Sequence, residues 1–153
     1  MGSLIGIYIA AAKTETPRLV EEANVAAGRG IEGDRYFAAQ GTFSKPDNPS
    51  NEVTLIEEEA IDALARDYST TIRPEESRRN LLTRGTALNH LVGKDFQIGE
   101  ATLHGIRLCE PCGHLEKLTS KAVEAGLKHR GGLRARVVDG GTIRVGDLIH
   151  AQQ

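Results

Sequence analysis

Glycine residues divide much of the sequence into short apolar runs. The chain contains 17 glycines, whereas aromatic residues make up only 4% of it. Short apolar runs between glycine turns are typical of β-strands. In the second half of the chain, the runs span residues 81–83, 95–98, 101–108, 132–138, 142–145 and 148–151. The sequence therefore predicts many short strands, tight turns and an aliphatic core.

The first half of the sequence predicts three more strands and two loops. Residues 4–11, 19–25 and 52–56 have the apolar, β-leaning character of strands. Residues 28–36 are punctuated by glycines, which predicts a structured loop rather than a helix. Residues 41–51 contain two prolines, and we expect them to form a mobile surface loop.

Two segments have helical character. Within residues 57–68, apolar residues recur at helical spacing after three glutamates, which favour a helix N-terminus. The recurring residues are Ile61, Leu64, Ala65 and Tyr68. Residues 115–127 predict a second helix. Because strands and helices do not alternate regularly, the sequence favours a mainly β fold, a β-barrel with attached helices, over a doubly wound sheet.

Length, charge and cysteine count exclude several classes of protein. The 153 residues suit a single domain over residues 1–153. A formal net charge of −2 gives no overall field to attract nucleic acid or an anionic membrane, and no apolar stretch is long enough to span a bilayer. No basic residue precedes the N-terminal apolar run, so it does not resemble a secretion signal. Only two cysteines occur, which favours functional thiols in a reducing compartment, the cytoplasm.

The two cysteines form the motif Cys109-Glu110-Pro111-Cys112 between a predicted strand and a predicted helix. A thiol at a helix N-terminus meets unpaired N–H groups that lower its pKa and favour the reactive thiolate. Two small buried residues at a turn are the simplest alternative. A thioredoxin-like redox pair is disfavoured, because such folds need a strand-helix-strand frame and a later proline loop, and no proline follows the motif.

Two kinds of metal or sulfur site remain open. A zinc site could combine both cysteines with His114 and either His104 or His129, although a second close ligand pair is missing. Alternatively, a single thiolate could hold a soft transition metal or a sulfur-bearing group in an anion-binding pocket.

Two basic segments without acidic residues support the anion pocket. Residues 77–93 carry three arginines, and residues 126–138 carry Lys128, Arg130, Arg134 and Arg136. Arg134 and Arg136 project to one side of a strand, and the guanidinium fork suits phosphate or carboxylate. Such runs can also be solvated faces. Both segments could nevertheless converge on one anionic ligand.

Five ordered motifs resemble those of the MOSC domain, found at the C-terminus of molybdenum-cofactor sulfurases and alone in small bacterial proteins. They occupy residues 30–36, 77–85, 91–99, 109–112 and 130–135, and the resemblance extends from Leu4 to Asp147. It implies a twisted β-barrel of the MOSC type with two or three short helices. It also implies a basic pocket for the molybdenum cofactor, a pterin that carries a phosphate and a dithiolene-held metal.

The resemblance further implies roles for individual residues. Cys112 is similar in position to the catalytic cysteine that is a metal ligand or sulfur carrier. The positions that shape the cofactor-binding pocket are matched by Asp34, Arg35, Arg79, Asn80, Arg130 and Arg134. Structural alternatives exist for two of these: Asp34 with Arg35 could be an ion pair of the fold, and Asn80 could cap a loop.

Relatives include reductases of N-hydroxylated bases and amidoximes. We therefore expect an oxidoreductase that reduces N–O bonds in small N-hydroxylated substrates and receives electrons from a donor protein. In this role, Arg79, Arg130 and Arg134 would hold the anionic end of the cofactor. The alternatives are a non-catalytic carrier of sulfur or cofactor that uses Cys112, and a barrel that serves only as a protein-interaction module.

Overall fold

One sheet closes on itself to form a seven-stranded β-barrel. The structure is a computed structural model that describes residues 2–12, 15–35, 37, 52–109, 127 and 130–151. The barrel strands are β1 (Gly2–Ile9), β5 (Val53–Glu57), β6 (Leu81–Arg84), β7 (Asp95–Ile98), β8 (Ala101–Leu108), β9 (Leu133–Asp139) and β11 (Leu148–Ala151). Their order around the barrel is β11-β7-β8-β9-β5-β6-β1, and pairing of β1 with β11 closes the ring.

The one α-helix among the described residues connects the two parallel strands of the barrel. Strands β5 and β6 pair in parallel, and a parallel pair needs a crossover connection. Helix α1 (Glu58–Tyr68) forms the first part of this connection and packs Ile61 and Leu64 against the outside of the barrel. The helix ends at Ser69, which has a left-handed backbone conformation and donates its N–H to the carbonyl of Leu64. Two 3-10 turns, Pro74–Ser77 and Leu88–Leu91, flank β6.

The hydrophobic core has an inner and an outer part. Alternate residues of the strands fill the barrel, as Leu133, Ala135 and Val137 of β9 show, while Arg134 and Arg136 lie on the outer face. The outer part lies beneath α1. Its members are Tyr8, Ile56, Ala60, Ile61, Leu64, Ile72, Leu82 and Leu127. A barrel covered on one side by a helix therefore explains why both alternating and helical apolar patterns occur in one chain.

The remaining strands lie beside the barrel. Strand β2 (Arg18–Val20) pairs with the second half of β1, whereas β3 (Glu22–Ala26) pairs with β4 (Gly30–Ile31) and β10 (Gly141–Arg144) in a separate three-stranded sheet. The prediction of one strand over residues 19–25 was therefore wrong. The chain leaves one sheet at Glu21 and enters the other, so the apolar run divides into two strands.

Most other predicted elements are confirmed. The predicted strands 95–98, 101–108 and 148–151 coincide with β7, β8 and β11, and the predicted helix 57–68 begins one residue early. Tyr68 is exposed rather than packed, because the buried face of α1 is formed by Ala60, Ile61, Ala63 and Leu64. The sequence did not predict the two 3-10 turns. The loop expected over residues 41–51 and nearly all of the helix expected over 115–127 lie outside the described residues.

Within the described ranges, we find no helix that is both long and apolar enough to cross a lipid bilayer.

Candidate functional site

The cysteine motif begins where strand β8 ends. Cys109 directly follows β8, donates its N–H to the carbonyl of Gly132 at 2.8 Å, and has a relative exposure of only 1%. Its thiol is thus packed inside the protein, which agrees with the alternative that Cys109 is a small buried residue at a turn. Residues 110–126 lie outside the described residues, so the assignment of Cys112 as the reactive or metal-binding thiol stays a prediction.

Arg79 links the cysteine motif to the glycine pair before β9. Its Nε donates to the carbonyl oxygen of Gly131 at 2.8 Å, and its Nη2 donates to that of Cys109 at 3.1 Å. Its Nη1 lies 3.4 Å from the carbonyl oxygen of Ser77. These partners are 52, 30 and 2 positions away in sequence. The guanidinium therefore connects three of the segments that the sequence motifs singled out.

The glycine pair allows the chain to approach strand β5 closely. Gly132 has a φ of 120°, and a Cβ at this position would collide with the carbonyl of Leu55 and lie 3.6 Å from Nε of Arg79. Only glycine fits both the left-handed backbone and the space available. The backbone next to Arg79 therefore carries no side chain, which leaves the guanidinium close to bare main chain.

Arg130 precedes the glycine pair and lies on the surface. Its N–H donates to the carbonyl of Leu127 at 2.9 Å, and its exposed side chain lines a cleft of about 490 Å³ along helix α1. The same cleft is lined by Glu57 and Arg66. Burial raises the pKa of Glu57, although a hydrogen bond from the N–H of Leu88 and the charge of Arg130 act in the opposite direction.

Asn80 is a buried structural clamp. The relative exposure of Asn80 is 1%. Its Oδ1 accepts hydrogen bonds from the N–H and the hydroxyl of Thr54, at 3.1 and 3.2 Å. Its Nδ2 donates to the carbonyl of Tyr8 at 3.2 Å. These contacts join three neighbouring strands, in agreement with a structural role, and a cofactor-binding role for Asn80 stays a prediction.

Arg134 lies on the outer face of β9, half-buried. It is the register partner of Thr54 on β5 and of Arg107 on β8. Directly opposed residues of antiparallel strands share a face, so Arg134 and Thr54 lie side by side. Arg134 is thus a strand neighbour of the threonine that binds Asn80.

Asp34 and Arg35 form a buried ion pair. Nη1 of Arg35 lies 3.3 Å from Oδ1 of Asp34, which also accepts a hydrogen bond from the N–H of Ala10 at 3.0 Å. Nη2 of Arg35 lies 3.4 Å from the carbonyl oxygen of Arg78. The pair therefore ties the end of β1 to the segment that precedes β6, as the structural alternative expects, and its part in cofactor binding stays a prediction.

Hydrogen bonds to residues 78–80 connect four of the six described candidates, whereas Arg130 and Arg134 are near them only through neighbouring residues. Arg35 reaches the carbonyl of Arg78, Arg79 reaches Cys109 and Gly131, and Asn80 binds Thr54 beside Arg134. Arg130 adjoins the glycine that Arg79 binds. Sequence reasoning missed Thr54 and Ser77, which orient Asn80 and Arg79. A threonine inside the apolar run of β5 was the signal that could have identified the first of them.

The described residues do not support the other readings of the cysteines. They form a closed barrel rather than a strand-helix-strand frame, and they contain no group of three potential ligands among His, Cys, Asp and Glu side chains. His104 bonds Asp95 at 2.7 Å and lies five positions before Cys109 on β8, roughly 15 Å away at the usual strand rise. This separation disfavours a zinc site that combines His104 with Cys109, and Cys112, His114 and His129 of the zinc hypothesis lie outside the described residues.

Solved structures with the same fold include the YuaD protein from Bacillus subtilis. It matches with a TM-score of 0.82 at 22% identity, over 100% of this chain and 98% of that one. YiiM from Geobacillus stearothermophilus matches with a TM-score of 0.77 at 13% identity, over 100% of this chain and 76% of that one. YiiM from Escherichia coli matches with a TM-score of 0.73 at 18% identity, over 100% and 70%. No curated protein matches the chain.

Residues 44–150 match the model of the MOSC domain, a span that includes all the barrel strands except β1. This match covers more than half of the sequence, includes four of the five motifs, and agrees with the closed barrel. The chain therefore belongs to the MOSC domain family, which is associated with binding of the molybdenum cofactor.

Proposed function

We propose that this protein binds the molybdenum cofactor and reduces N–O bonds in small N-hydroxylated molecules, with the thiolate of Cys112 as the protein ligand of the metal. Family membership supports the choice of cofactor. The observation that carries the proposal is the contact of Arg79 with Cys109 and Gly131, because it brings a cation to the start of the cysteine motif.

The donor groups near Arg79 fit an anionic cofactor. A guanidinium has five N–H donors, and one bond each from Nε, Nη1 and Nη2 leaves one N–H on each terminal nitrogen. Three main-chain carbonyls fix the orientation of the guanidinium plane, so these two donors need little reorganisation to bind a phosphate. Because Gly132 has no side chain, none stands between the main chain and Nε of Arg79, which a Cβ at this position would approach to 3.6 Å. The residues present therefore fit the pterin phosphate.

Each group would have a separate task. Arg79, Arg130 and Arg134 would hold the anionic end of the cofactor, and Cys112 would bind the metal as a soft thiolate ligand. When bound, the cofactor supplies the two-electron chemistry of N–O reduction. Asp34, Arg35 and Asn80 would act through the backbone, since they fix the strand ends from which the binding residues project.

Purification from a host that makes the molybdenum cofactor tests the proposal. Molybdenum content, pterin fluorescence and reduction of an N-hydroxylated amidine by reduced methyl viologen are measured on the same preparation. We expect bound molybdenum and catalytic turnover. Stoichiometric transfer of sulfur or cofactor to an acceptor enzyme without turnover would instead identify a carrier, and absence of the pterin would contradict both roles.

The two cysteines provide a matched pair of variants. We expect Cys112→Ser to lose both molybdenum and activity, because the hydroxyl is a poor ligand for a soft metal. Cys109→Ser should keep most of both, since the Cys109 side chain is buried at 1% exposure. Equal losses in the two variants would contradict the single-thiolate site and favour a dithiol.

A further inference from the structure

Four basic side chains lie together on the outer face of strands β8 and β9. The register pairs His104 with Arg136 and Arg107 with Arg134. Directly opposed residues of an antiparallel pair point to the same side of the sheet, with Cβ atoms about 4.5–5.5 Å apart. We call the face formed by His104, Arg107, Arg134 and Arg136 the basic face. Arg107 is exposed, and the other three are half-buried.

This arrangement is unfavourable unless anionic groups compensate it. Like charges directly opposite on neighbouring strands destabilise a sheet. Asp95 bonds His104 at 2.7 Å, and the buried Glu52 interacts electrostatically with Arg136. Within the part of the chain that the structure describes, Arg107 forms no ion pair with a carboxylate. The exposed Arg107 therefore leaves positive charge on this face of a protein whose formal net charge is −2.

The basic face adjoins the cysteine motif. Arg107 lies two positions before Cys109 on the strand that leads into the motif, and Arg134 follows the glycine pair that Arg79 contacts. A partner seated on the basic face would therefore lie beside the start of the motif whose second cysteine is the proposed metal ligand. Electron transfer needs such proximity, whereas a partner recruited only for attachment does not.

We propose that the basic face docks an acidic electron-donor protein. The inference rests on the proposed function, because reduction of R–NH–OH to R–NH2 and water consumes two electrons and two protons. The donor protein supplies the electrons and is itself oxidised, while the protons come from solvent. Complementary charge orients the donor and speeds encounter, and salt weakens both effects.

Binding of a flavodoxin, a small acidic flavoprotein, tests the docking surface without reference to catalysis. The full-length protein is titrated with oxidised flavodoxin at low and at high ionic strength. We expect binding that weakens with salt and that the double substitution Arg107→Gln and Arg136→Gln weakens roughly tenfold. Arg18→Gln removes one exposed positive charge from strand β2, beside the barrel, as Arg107→Gln alone does from β8, and it should bind as the unmodified protein does.

Circular dichroism checks that the variants fold, and Arg107→Gln alone gives a second readout because its side chain is exposed. Unchanged affinity in the double variant would overturn the inference. Stronger binding of duplex DNA or anionic vesicles than of flavodoxin would overturn it too, in favour of another class of partner.

Turnover separates this inference from the proposed function. With reduced methyl viologen, the double variant should be as active as the unmodified protein, whereas reduced flavodoxin should support it several-fold less well. Absence of turnover with both reductants in the unmodified protein would reject the proposed function, and the binding titration alone would then decide whether the basic face docks flavodoxin. Equal flavodoxin-driven rates in both proteins would reject the docking surface alone.

Discussion

At the scale of single residues, Arg79 combines a structural and a proposed binding role. Its bonds to the carbonyls of Gly131 and Cys109 were not foreseen, since we expected it to serve only the ligand. A charge fixed by the backbone is better placed to bind an anion than a flexible one, because less side-chain entropy is lost on binding. Its removal should therefore affect both folding and ligand retention.

We predict that Arg79→Ala lowers the free energy of unfolding of the cofactor-free protein by about 2–4 kcal/mol, because two carbonyls lose charge-assisted partners. The same variant should retain less molybdenum. Urea unfolding and metal analysis measure the two effects. Arg144→Ala is the control, since its ion pair with Glu22 is exposed and such pairs contribute about 0–1 kcal/mol. Equal unfolding midpoints for both variants would show that the hydrogen bonds of Arg79 do not stabilise the folded protein.

Glu52 is a second residue whose burial has a measurable consequence. Its Oε1 accepts a hydrogen bond from the N–H of Val137 at 2.8 Å, and burial raises its pKa although that bond and Arg136 oppose the rise. The folded protein therefore binds this proton more tightly than the unfolded chain does. The protonated Glu52 carboxyl therefore stabilises the folded protein fully below about pH 4.3, the pKa of a glutamate in the unfolded chain. This stabilisation is lost as the pH rises through the higher pKa of Glu52 in the folded protein.

We predict that Glu52→Gln removes this pH dependence, because an amide keeps the acceptor for Val137 but does not titrate. The free energy of unfolding, measured by urea titration from acidic to neutral pH, should fall less in the variant than in the unmodified protein. Glu32→Gln changes an exposed carboxylate and serves as the control. Parallel curves for the unmodified protein and Glu52→Gln would show that burial does not perturb this carboxyl.

At the scale of secondary structure elements, Asn80 holds three strands in register. It precedes β6, accepts from Thr54 on β5, and donates to Tyr8 on β1. We predict that Asn80→Ala costs about 2–4 kcal/mol of stability, because a buried carbonyl and a buried N–H lose their partners. Asn24→Ala should cost much less, since Asn24 is exposed. Chemical denaturation of both variants measures the difference, and similar losses would contradict the clamp.

The sequence predicted the elements well where local pattern decides them. The glycine-bounded runs became β7, β8 and β11 because each has alternate residues inside one barrel. Pattern could not reveal that the run 19–25 divides between two sheets, since that depends on β2 pairing with β1 and β3 pairing with β10. It could not reveal the 3-10 turns either, because their residues lack a distinct apolar period.

At the scale of the whole molecule, the sequence motifs contain residues that the fold brings together, but they did not predict which of these residues meet. The motifs identified Arg79, the cysteine pair and the glycine pair, but their hydrogen bonds join residues 30 and 52 positions apart. The opposition of Arg107 and Arg134 likewise follows from strand register, including a bulge between Gly105 and Arg107. Such contacts depend on barrel closure, which no local pattern encodes.

Barrel closure itself depends on a short contact. Strand β11 meets β1 through two register pairs, Gly2 with Ile149 and Ser3 with Leu148, supported by a hydrogen bond from the N–H of Leu4 to the carbonyl of Asp147 at 2.8 Å. Ile149 is 4% exposed within the barrel, whereas Leu148 is 51% exposed on its outside. Substitutions of Ile149 and of its neighbour Leu148 can therefore be compared to test whether packing inside the barrel makes the seven strands unfold as one cooperative unit.

We predict that Ile149→Ala lowers the free energy of unfolding by about 2–4 kcal/mol, because it removes buried methyl groups and leaves a cavity. Leu148→Ala should change it by less than about 0.5 kcal/mol. Because every barrel strand contributes to the same core, the weakened barrel should still unfold in one transition, with equal midpoints by circular dichroism and tyrosine fluorescence. If the two signals separated in Ile149→Ala, the seven strands would not form one folding unit, and closure through β1 and β11 would stabilise only part of the molecule.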